Sequence, residues 1–275
     1  MAINLAEKAS PKVVERFKLG SCTEGLFTAD YDWTGVATVK VYSVDNLPMQ
    51  DYDKAKTSGS RFGDLTEVGD TVQEMTVTKD RAFNGSIDKG NNTAQLQIKS
   101  ASKILRRQTD EVLIPEVDKY RLGVLAAGAG TTENVGSLTK SNIVEKIMLA
   151  NAAMSNKMVP DTGRVLFMGY TTAVALKMAE QVVGIDKLGE EAIVNGAMGK
   201  IDKCQVRLVP DSYMPSGAAF IIAKTGCAVA PKKIETFRII TEDKDIDGSI
   251  VQGRLMHDCF VLESKANGIY VGTTA

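Results

Sequence analysis

His257 is the only histidine among the 275 residues, so it limits the nucleophilic and metal chemistry that the sequence could perform. A site with several histidine ligands is excluded, and one candidate remains for a Ser-His-Asp or Cys-His arrangement. In a predicted strand over 251–262, His257 lies on the same face as Val251 and Leu255, and Asp258 points to the opposite face. A lone histidine on an apolar strand face is typical of a core residue, so we predict no catalytic role for it.

Three short motifs resemble ligand-binding loops but lack essential residues. Residues 128–133 begin like a dinucleotide fingerprint, but the third glycine is absent and a predicted helix precedes them instead of a strand. Residues 196–201 contain Gly-Lys without the Walker spacing. Residues 243–248 carry alternating acids, but Arg254 stands where a calcium loop needs its last carboxylate. We therefore expect no cofactor, no metal site and no enzymatic activity.

The composition is that of a globular protein, with 44% apolar and 24% charged residues. The 33 basic and 34 acidic residues give a formal charge of -1, which provides no general field for holding nucleic acid. No apolar run approaches the roughly 20 residues of a membrane span, and the first residues lack a signal-peptide pattern, so we expect synthesis in the cytosol and no membrane partner. The cysteines are isolated in the sequence and are expected to be small buried hydrophobes. They are Cys22, Cys204, Cys227 and Cys259.

The long polar segment 45–70 is the most unusual stretch of the chain. It separates two predicted strands, 36–44 and 71–78, whose apolar residues alternate with polar ones. Structureless loops longer than about 15 residues are uncommon in compact domains unless they are functional or disordered. We therefore predict a role for this segment outside its own subunit. Residues 1–35 have too few apolar residues to build a core and are predicted to form an arm.

The helical pattern beginning at Asn91 is predicted to be the longest helix of the chain. Pro115 lies inside the pattern and predicts a bend or a break near Ile114, and Gly128 ends the helix. Further helices are predicted after Asn142 and over 171–183, closed by Gly184, between strands that make the class mixed α and β. These strands cover residues 164–168, 204–209, 220–223, 237–240 and 251–262. Asn267-Gly268 predicts a tight turn that pairs the last strand with the strand ending near Leu262.

Four basic residues recur at helical spacing on the long predicted helix: Lys99, Lys103, Arg106 and Arg107. One interpretation is an ordinary solvated helix face. The other is a basic stripe that faces DNA or a neighbouring subunit and whose contacts salt would weaken. Both interpretations are compatible with the pattern.

The order of these features, from arm and polar hairpin to long helix and mixed α/β region, resembles the major capsid proteins of tailed bacteriophages (the HK-ninety-seven-like fold). The local sequence supports the resemblance in the extended-loop region and at the end of the long helix. The local sequence also supports the resemblance at several later strands. The residues concerned are 35–44, 51–53, 77–83, 86–88, 114–121, 164–167, 199–201 and 268–270.

The resemblance implies an α+β capsid fold with an arm, an extended loop, a peripheral domain containing a spine helix, and an axial domain. The corresponding boundaries are 1–35, 36–87, 88–141 with 242–275, and 142–241 respectively. Tyr52, Arg61 and Phe62 are the candidate contacts of the extended loop with another subunit, because aromatic and arginine residues dominate interface energy.

The implied function is that of a shell subunit that forms hexamers and pentamers of an icosahedral virion capsid around double-stranded DNA. The implied partners are further copies of the chain, a portal protein, DNA held by weak non-specific contacts, and a separate scaffolding protein, because no long N-terminal extension is present. Assembly is expected in the host cytoplasm. Two alternatives remain: an encapsulin-type compartment shell that packages a protein cargo, and a soluble enzyme with an unrecognised site that forms a small oligomer.

Overall fold

The computed structural model describes residues 20–28, 30, 31, 33, 38–94, 99–179, 199–241 and 246–274. The first half of the described chain contains three strands followed by helices: β1 (Thr38–Val44), β2 (Asp70–Thr76), β3 (Lys79–Asp88), α1 (Lys89–Ala94), α2 (Ala101–Gln108), a π-helical turn (Thr109–Leu113) and α3 (Ile114–Ala127).

The second half alternates strands with helices. Its elements are β4 (Thr131–Asn134), α4 (Ile143–Asn156), β5 (Arg164–Gly169), α5 (Tyr170–Lys177), β6 (Lys200–Ile201), β7 (Cys204–Val209), a 3-10 turn (Asp211–Tyr213), β8 (Ala218–Lys224), β9 (Ala228–Val229), β10 (Lys232–Ile240), β11 (Gly248–His257), β12 (Phe260–Val261), a 3-10 helix (Glu263–Gly268) and β13 (Ile269–Thr273). The prediction of a mixed α and β chain is confirmed.

A six-stranded mixed sheet in the order β4-β13-β8-β5-β7-β6 forms the largest layer. Its central strand β5 is buried on both faces, and its residues 165–168 are apolar. Leu166 and Met168 face one side and pack with the buried residues of α4 and α5, whereas Val165 and Phe167 face the other side and pack with α3. This alternation places the sheet between two helical layers.

A smaller antiparallel sheet in the order β10-β11-β3 packs against α2. Phe83 and Phe237 stack across its central strand with ring centroids 6.2 Å apart, above Gly253. A Cβ atom at Gly253 would lie 2.3 Å from the Phe83 ring, so only glycine fits beneath this aromatic pair. Strands β1 and β2 form a separate two-stranded sheet.

The long predicted helix is divided at its start. α1 ends at Ala94, residues 95–98 lie outside the described residues, and Lys99 is not helical. The Asn92 side-chain amide holds the Lys99 backbone with two hydrogen bonds of 3.0 Å, and such a local side-chain bond competes with helix formation. At Pro115 the helix is not broken, because the π-helical turn just before the proline accommodates it.

The predicted final hairpin is wrong. Residues 263–268 form a 3-10 helix that carries the chain to the six-stranded sheet, where β13 pairs with β8 and β4. Gly268 is buried with a negative φ, and a Cβ atom there would lie 3.2 Å from the Cβ of Cys227. This glycine is therefore needed for close packing and not for a tight turn.

Long-range pairing also crosses the predicted boundaries. Strand β10, assigned to the segment 142–241, pairs with β11, whereas β4 and β13 lie in the six-stranded sheet although they were assigned to the other domain. Strand β3 falls almost entirely within the predicted loop segment but pairs along its length with β11. Helix α4 begins after Asn142 as predicted, and α5 ends at Lys177, earlier than predicted. The predicted end at Gly184 lies outside the described residues.

Candidate functional site

His257 has the environment of a core residue. It is 3% exposed, and its ring meets the Tyr120 ring edge-on with centroids 5.8 Å apart. Burial and the nearby Arg121 charge lower its pKa. The described part of the chain contains no group of three or more histidine, cysteine, aspartate or glutamate side chains that could hold a metal ion. None of the described helices combines the length and apolar character that crossing a lipid bilayer requires.

Of the three loop-like motifs of the sequence, only residues 128–133 lie completely within the described residues. Gly128 follows the last residue of α3, so residues 128–133 include a helix-ending loop and then β4, as expected. Most of 243–248 and the glycine-rich start of 196–201 lie outside the described residues. The features that distinguish this molecule are therefore its surfaces.

The hairpin, which we define as β1, β2 and the loop 45–69 between them, is buried at one end only. Val39 pairs with Met75 on its inner face, and both pack into a cluster with Trp33 and Leu262. The Trp33 ring stacks on Phe260 with centroids 6.2 Å apart. Further from this cluster the two strands extend into solvent.

The outer part of the hairpin carries a concentration of exposed apolar side chains. They include Met49, which is 98% exposed, and Leu65, which is fully exposed. Together they are Tyr42, Val44, Leu47, Met49, Tyr52, Phe62, Leu65, Val68 and Val72. Exposed apolar side chains in such numbers are typical of surfaces that contact another molecule.

The three predicted interface anchors lie together at the end of the hairpin. Tyr52 and Phe62 pack edge to face with centroids 5.0 Å apart. The Arg61 Nε donates to the Lys56 carbonyl at 3.0 Å, and the Arg61 carbonyl accepts from the Asp53 amide at 3.1 Å. The two aromatic residues thus form an exposed pair, while Arg61 closes the loop that presents them.

The four predicted basic residues do not share one helix face. Lys99 precedes α2, while Lys103 and Arg106 are exposed on it. Each arginine has a carboxylate one turn later: Nε of Arg106 is 3.7 Å from Asp110, and Nε of Arg107 is 3.6 Å from Glu111. These pairs reduce the positive charge that the spacing predicted.

Two buried carboxylates join distant parts of the chain to α3, and neither was predicted. Asp118 accepts hydrogen bonds from the hydroxyls of Ser21 and Thr23, at 2.9 and 2.6 Å, and from the Cys22 amide at 2.8 Å. Arg121 also donates to the Thr23 hydroxyl at 3.2 Å. The segment 21–23 is therefore fixed to the helix through side-chain and backbone donors.

Asp258 joins the base of the hairpin to the same helix. Its Oδ2 accepts from the Thr78 amide at 2.9 Å and from the Thr78 hydroxyl at 3.0 Å, and its Oδ1 accepts from the Tyr120 hydroxyl at 2.6 Å. Strand β11 ends at His257, so strand alternation does not orient Asp258 as the sequence suggested. The only feature of the sequence that could have indicated this role of Asp258 is its position directly after an apolar strand.

A second exposed apolar surface lies on the helices that cover the six-stranded sheet. Tyr170, Val174 and Met178 recur every four residues along α5 and just beyond its end. Met148 and Leu149 are exposed on α4. Because four-residue spacing places side chains on one face of a helix, the α5 residues form a stripe.

No family model matches the sequence, and no curated protein is significantly similar to it. Solved structures match it over nearly its whole length. A structure from Mycobacterium phage Che8 has a TM-score of 0.80 at 16% identity, over 98% of this chain and 97% of that one. The capsid structure of the cyanophage P-SCSP1u has a TM-score of 0.81 at 12% identity, over 98% of this chain and 93% of that one. A structure of the mature capsid of bacteriophage PhiM1 has a TM-score of 0.74 at 8% identity, over 98% of this chain and 92% of that one. The chain therefore shares its fold with solved phage capsid structures.

Proposed function

We propose that this chain is a major capsid protein, a subunit without enzymatic activity that assembles into the hexamers and pentamers of an icosahedral shell. The observation that carries the proposal is the apolar outer half of the hairpin, on a fold that matches phage capsids across the chain. The shell would enclose double-stranded DNA in the virion and would form in the host cytoplasm, with a portal protein and a separate scaffolding protein as partners.

The energetics of the hairpin favour a second copy as its partner. A two-stranded hairpin alone is at best marginally stable in water, and here only one end packs on the subunit. Burying a side chain such as Met49 or Leu65 contributes about 1.5–3 kcal/mol. In a shell, each hairpin would lie on a neighbouring subunit and bury these residues.

The remaining surfaces fit the same function. The six-stranded sheet with α4 and α5 would be the axial part, and its exposed stripe of Tyr170, Val174 and Met178 would meet other copies around each capsomer axis. Residues 21–23, tied to α3 by Asp118, would be the start of the described part of the arm. The three-stranded sheet with α2 and α3 would be the peripheral part.

The basic residues near α2 would make weak contacts with packaged DNA or with a neighbouring subunit. Of Lys99, Lys103, Arg106 and Arg107, we would neutralise Lys103 and Arg106, because both are exposed and lie on α2 itself. Lys103→Gln with Arg106→Gln should reduce genome retention and its sensitivity to salt. Lys140→Gln with Lys200→Gln, two exposed lysines outside α2, is the control. Unchanged packaging in the first variant would exclude this role.

The test of the function is electron microscopy of the purified protein, alone and co-expressed with the neighbouring genes. Uniform shells, or hexamer and pentamer rings, are expected. DNA inside the shells would support a capsid, whereas a protein cargo would indicate an encapsulin-type compartment. A small oligomer of one size under both conditions would overturn the proposal and favour an enzyme.

A matched pair of methionine variants tests the role of the hairpin. Met49 is 98% exposed on the hairpin and Met158 is 91% exposed after α4, so the two substitutions to serine remove similar exposed surface. Met49→Ser should impair shell formation and leave the subunit folded, whereas Met158→Ser should assemble. Equal assembly of both would show that the hairpin is not an interface.

A further inference from the structure

The base of the hairpin is joined to the rest of the subunit through side-chain contacts. No strand pairing joins β1 and β2 to the three-stranded sheet among the described residues, and only Val77 and Thr78 separate β2 from β3. The direction of the hairpin is therefore set by side-chain contacts, which are the apolar cluster with Trp33 and a set of polar contacts beside it. We call residues 73–78, together with the facing segment 258–263, the hairpin root.

Two polar clamps close the hairpin root. At one, the Gln73 amide donates to the Val261 carbonyl at 2.8 Å and accepts from the Glu263 amide at 3.1 Å. At the other, Asp258 accepts both donors of Thr78. Both clamps use the same short segment after β11.

Asp258 differs from Gln73 because it also contacts α3. The Tyr120 hydroxyl and the Cys259 amide donate to its Oδ1 at 2.6 and 2.9 Å, so one buried carboxylate receives four hydrogen bonds. Asp258 is 3% exposed, so its carboxylate depends on these donors in place of water. Leaving a buried acceptor without one of its donors costs free energy. Because Thr78 and Tyr120 donate to the same carboxylate, loss of one donor should also weaken the hold on the other.

We infer that Asp258 is a positioning residue that holds the hairpin root closed against α3 and so fixes the direction in which the hairpin leaves the subunit. Its consequence for assembly rests on the proposed function, because a shell needs the hairpin to reach its neighbour at a defined angle. The carboxylate acts through Thr78 and Tyr120 and makes no contact with the exposed tip of the hairpin.

Two tyrosine variants separate this role from general stability. Tyr120→Phe removes one phenol-to-carboxylate hydrogen bond at the root, and Tyr270→Phe removes the corresponding bond to Glu133, of 2.8 Å, in the six-stranded sheet. Hydrogen exchange followed by mass spectrometry on unassembled protein reports each region. Tyr120→Phe should speed exchange over residues 70–78 by about tenfold, the size expected for a bond to a charged group, while β5 and β8 stay unchanged.

The control, Tyr270→Phe, should show the reverse pattern: exchange should be faster in β13 and unchanged at the hairpin root. Thr78→Val, which deletes only the hydroxyl donor, should act like Tyr120→Phe. Equal effects of the two tyrosine variants at the root, or no effect of Tyr120→Phe and Thr78→Val there, would overturn the inference.

Electron microscopy then tests the consequence. Shells of Tyr120→Phe should vary in diameter more than wild-type shells. Faster exchange at the root with shells of unchanged diameter would overturn the claim that the root fixes the hairpin direction. Failure of the wild-type protein to form any shell would count against the proposed function alone, because the exchange experiment needs no assembly.

Discussion

Tyr52 and Phe62 pack edge to face at the exposed end of the hairpin, with ring centroids 5.0 Å apart. The pair is far from the cluster that buries the hairpin base, and Phe62 remains 80% exposed. Aromatic pairs of this geometry contribute about 0.5–1.5 kcal/mol beyond their buried area. The contact therefore gives the loop a local shape before any partner binds, and a preformed loop loses less entropy on binding.

Replacing Phe62 should weaken assembly without unfolding the subunit. Phe62→Ala removes both the contact with Tyr52 and the side chain offered to a neighbour, so the protein concentration needed for assembly should rise about tenfold or more. Light scattering across a concentration series measures this threshold. Phe62→Tyr keeps the ring and should assemble like the wild type. A normal threshold for Phe62→Ala would contradict the assignment of this residue as an anchor.

Local patterns in the sequence predicted the strands and the hairpin well. Alternation at Val39 and Val41 and the apolar run of β5 are direct signals of half-buried and fully buried strands. Strand pairing was less predictable: β13 joins β8 and β4 because Ile269 and Val271 complete a buried cluster contributed by distant segments. A local turn signal cannot reveal such a cluster.

The site was predicted only in part, for a related reason. Aromatic residues in a long polar loop are visible in the sequence, so Tyr52 and Phe62 could be named as candidate contacts, and their role as contacts stays a prediction. Asp118 and Asp258 were missed, because an acid next to apolar residues looks like a solvated position until its donors are known. Those donors lie 95 or more residues away from Asp118 and up to 180 residues away from Asp258.

Arg164 should be among the most sensitive polar positions of the chain. It is 2% exposed, and its guanidinium donates to Asn151, Ser155 and the carbonyls of Val159 and Pro160. Arg164→Met should lower the free energy of unfolding by about 3 kcal/mol or more, because several acceptors lose their donor and each such loss inside the protein costs about 1–3 kcal/mol. Urea unfolding measures the change.

The control for Arg164→Met is Arg254→Met. Arg254 forms an ion pair with Asp80 at 2.6 Å, but both side chains are solvent-exposed. Arg254→Met should therefore lower the free energy of unfolding much less than Arg164→Met. Similar losses at the two positions would contradict the importance of burial for Arg164.

Gly253 should tolerate alanine only if its aromatic neighbours are reduced. Gly253→Ala places a methyl group 2.3 Å from the Phe83 ring and 2.7 Å from the Phe237 ring, and such overpacking costs about 1–3 kcal/mol. Adding Phe83→Leu should recover part of the stability. A double-mutant cycle from urea unfolding gives the coupling, and strictly additive effects would contradict the steric explanation.

The cysteines should react slowly in the native protein, including the half-buried Cys22. Burial, followed by the charge of Asp118, raises the pKa of Cys22 to about 12, and burial raises the pKa of Cys227 to about 11 and that of Cys259 to about 12. Because the thiolate is the reactive form, alkylation by iodoacetamide at pH 8 should be at least about a hundredfold slower than for free cysteine. Mass spectrometry before and after urea unfolding tests this. Rapid native labelling of Cys22 would show that its contact with Asp118 is open in solution.

The contribution of the Tyr120 hydrogen bond should depend on pH. Burial raises the pKa of Asp258, but the hydrogen bonds from Tyr120, Thr78 and Cys259 outweigh it and hold the pKa below the ordinary value. A carboxylate with a lowered folded-state pKa stabilises the fold above its unfolded pKa, about 3.9, and this stability is lost as the pH falls through the folded-state value.

Wild type should therefore exceed Tyr120→Phe in unfolding free energy by a constant amount above about pH 5, and the difference should shrink below about pH 4 as Asp258 is protonated. Urea unfolding from pH 7 to pH 3 measures it. The exposed pairs of Asp80 and Asp161 also titrate in acid, as does His257, whose pKa is lowered, but both proteins contain them. Phenylalanine keeps the ring beside His257, so these contributions cancel in the difference. A difference that stays constant down to pH 3 would mean that the ionised form of Asp258 is not what Tyr120 stabilises.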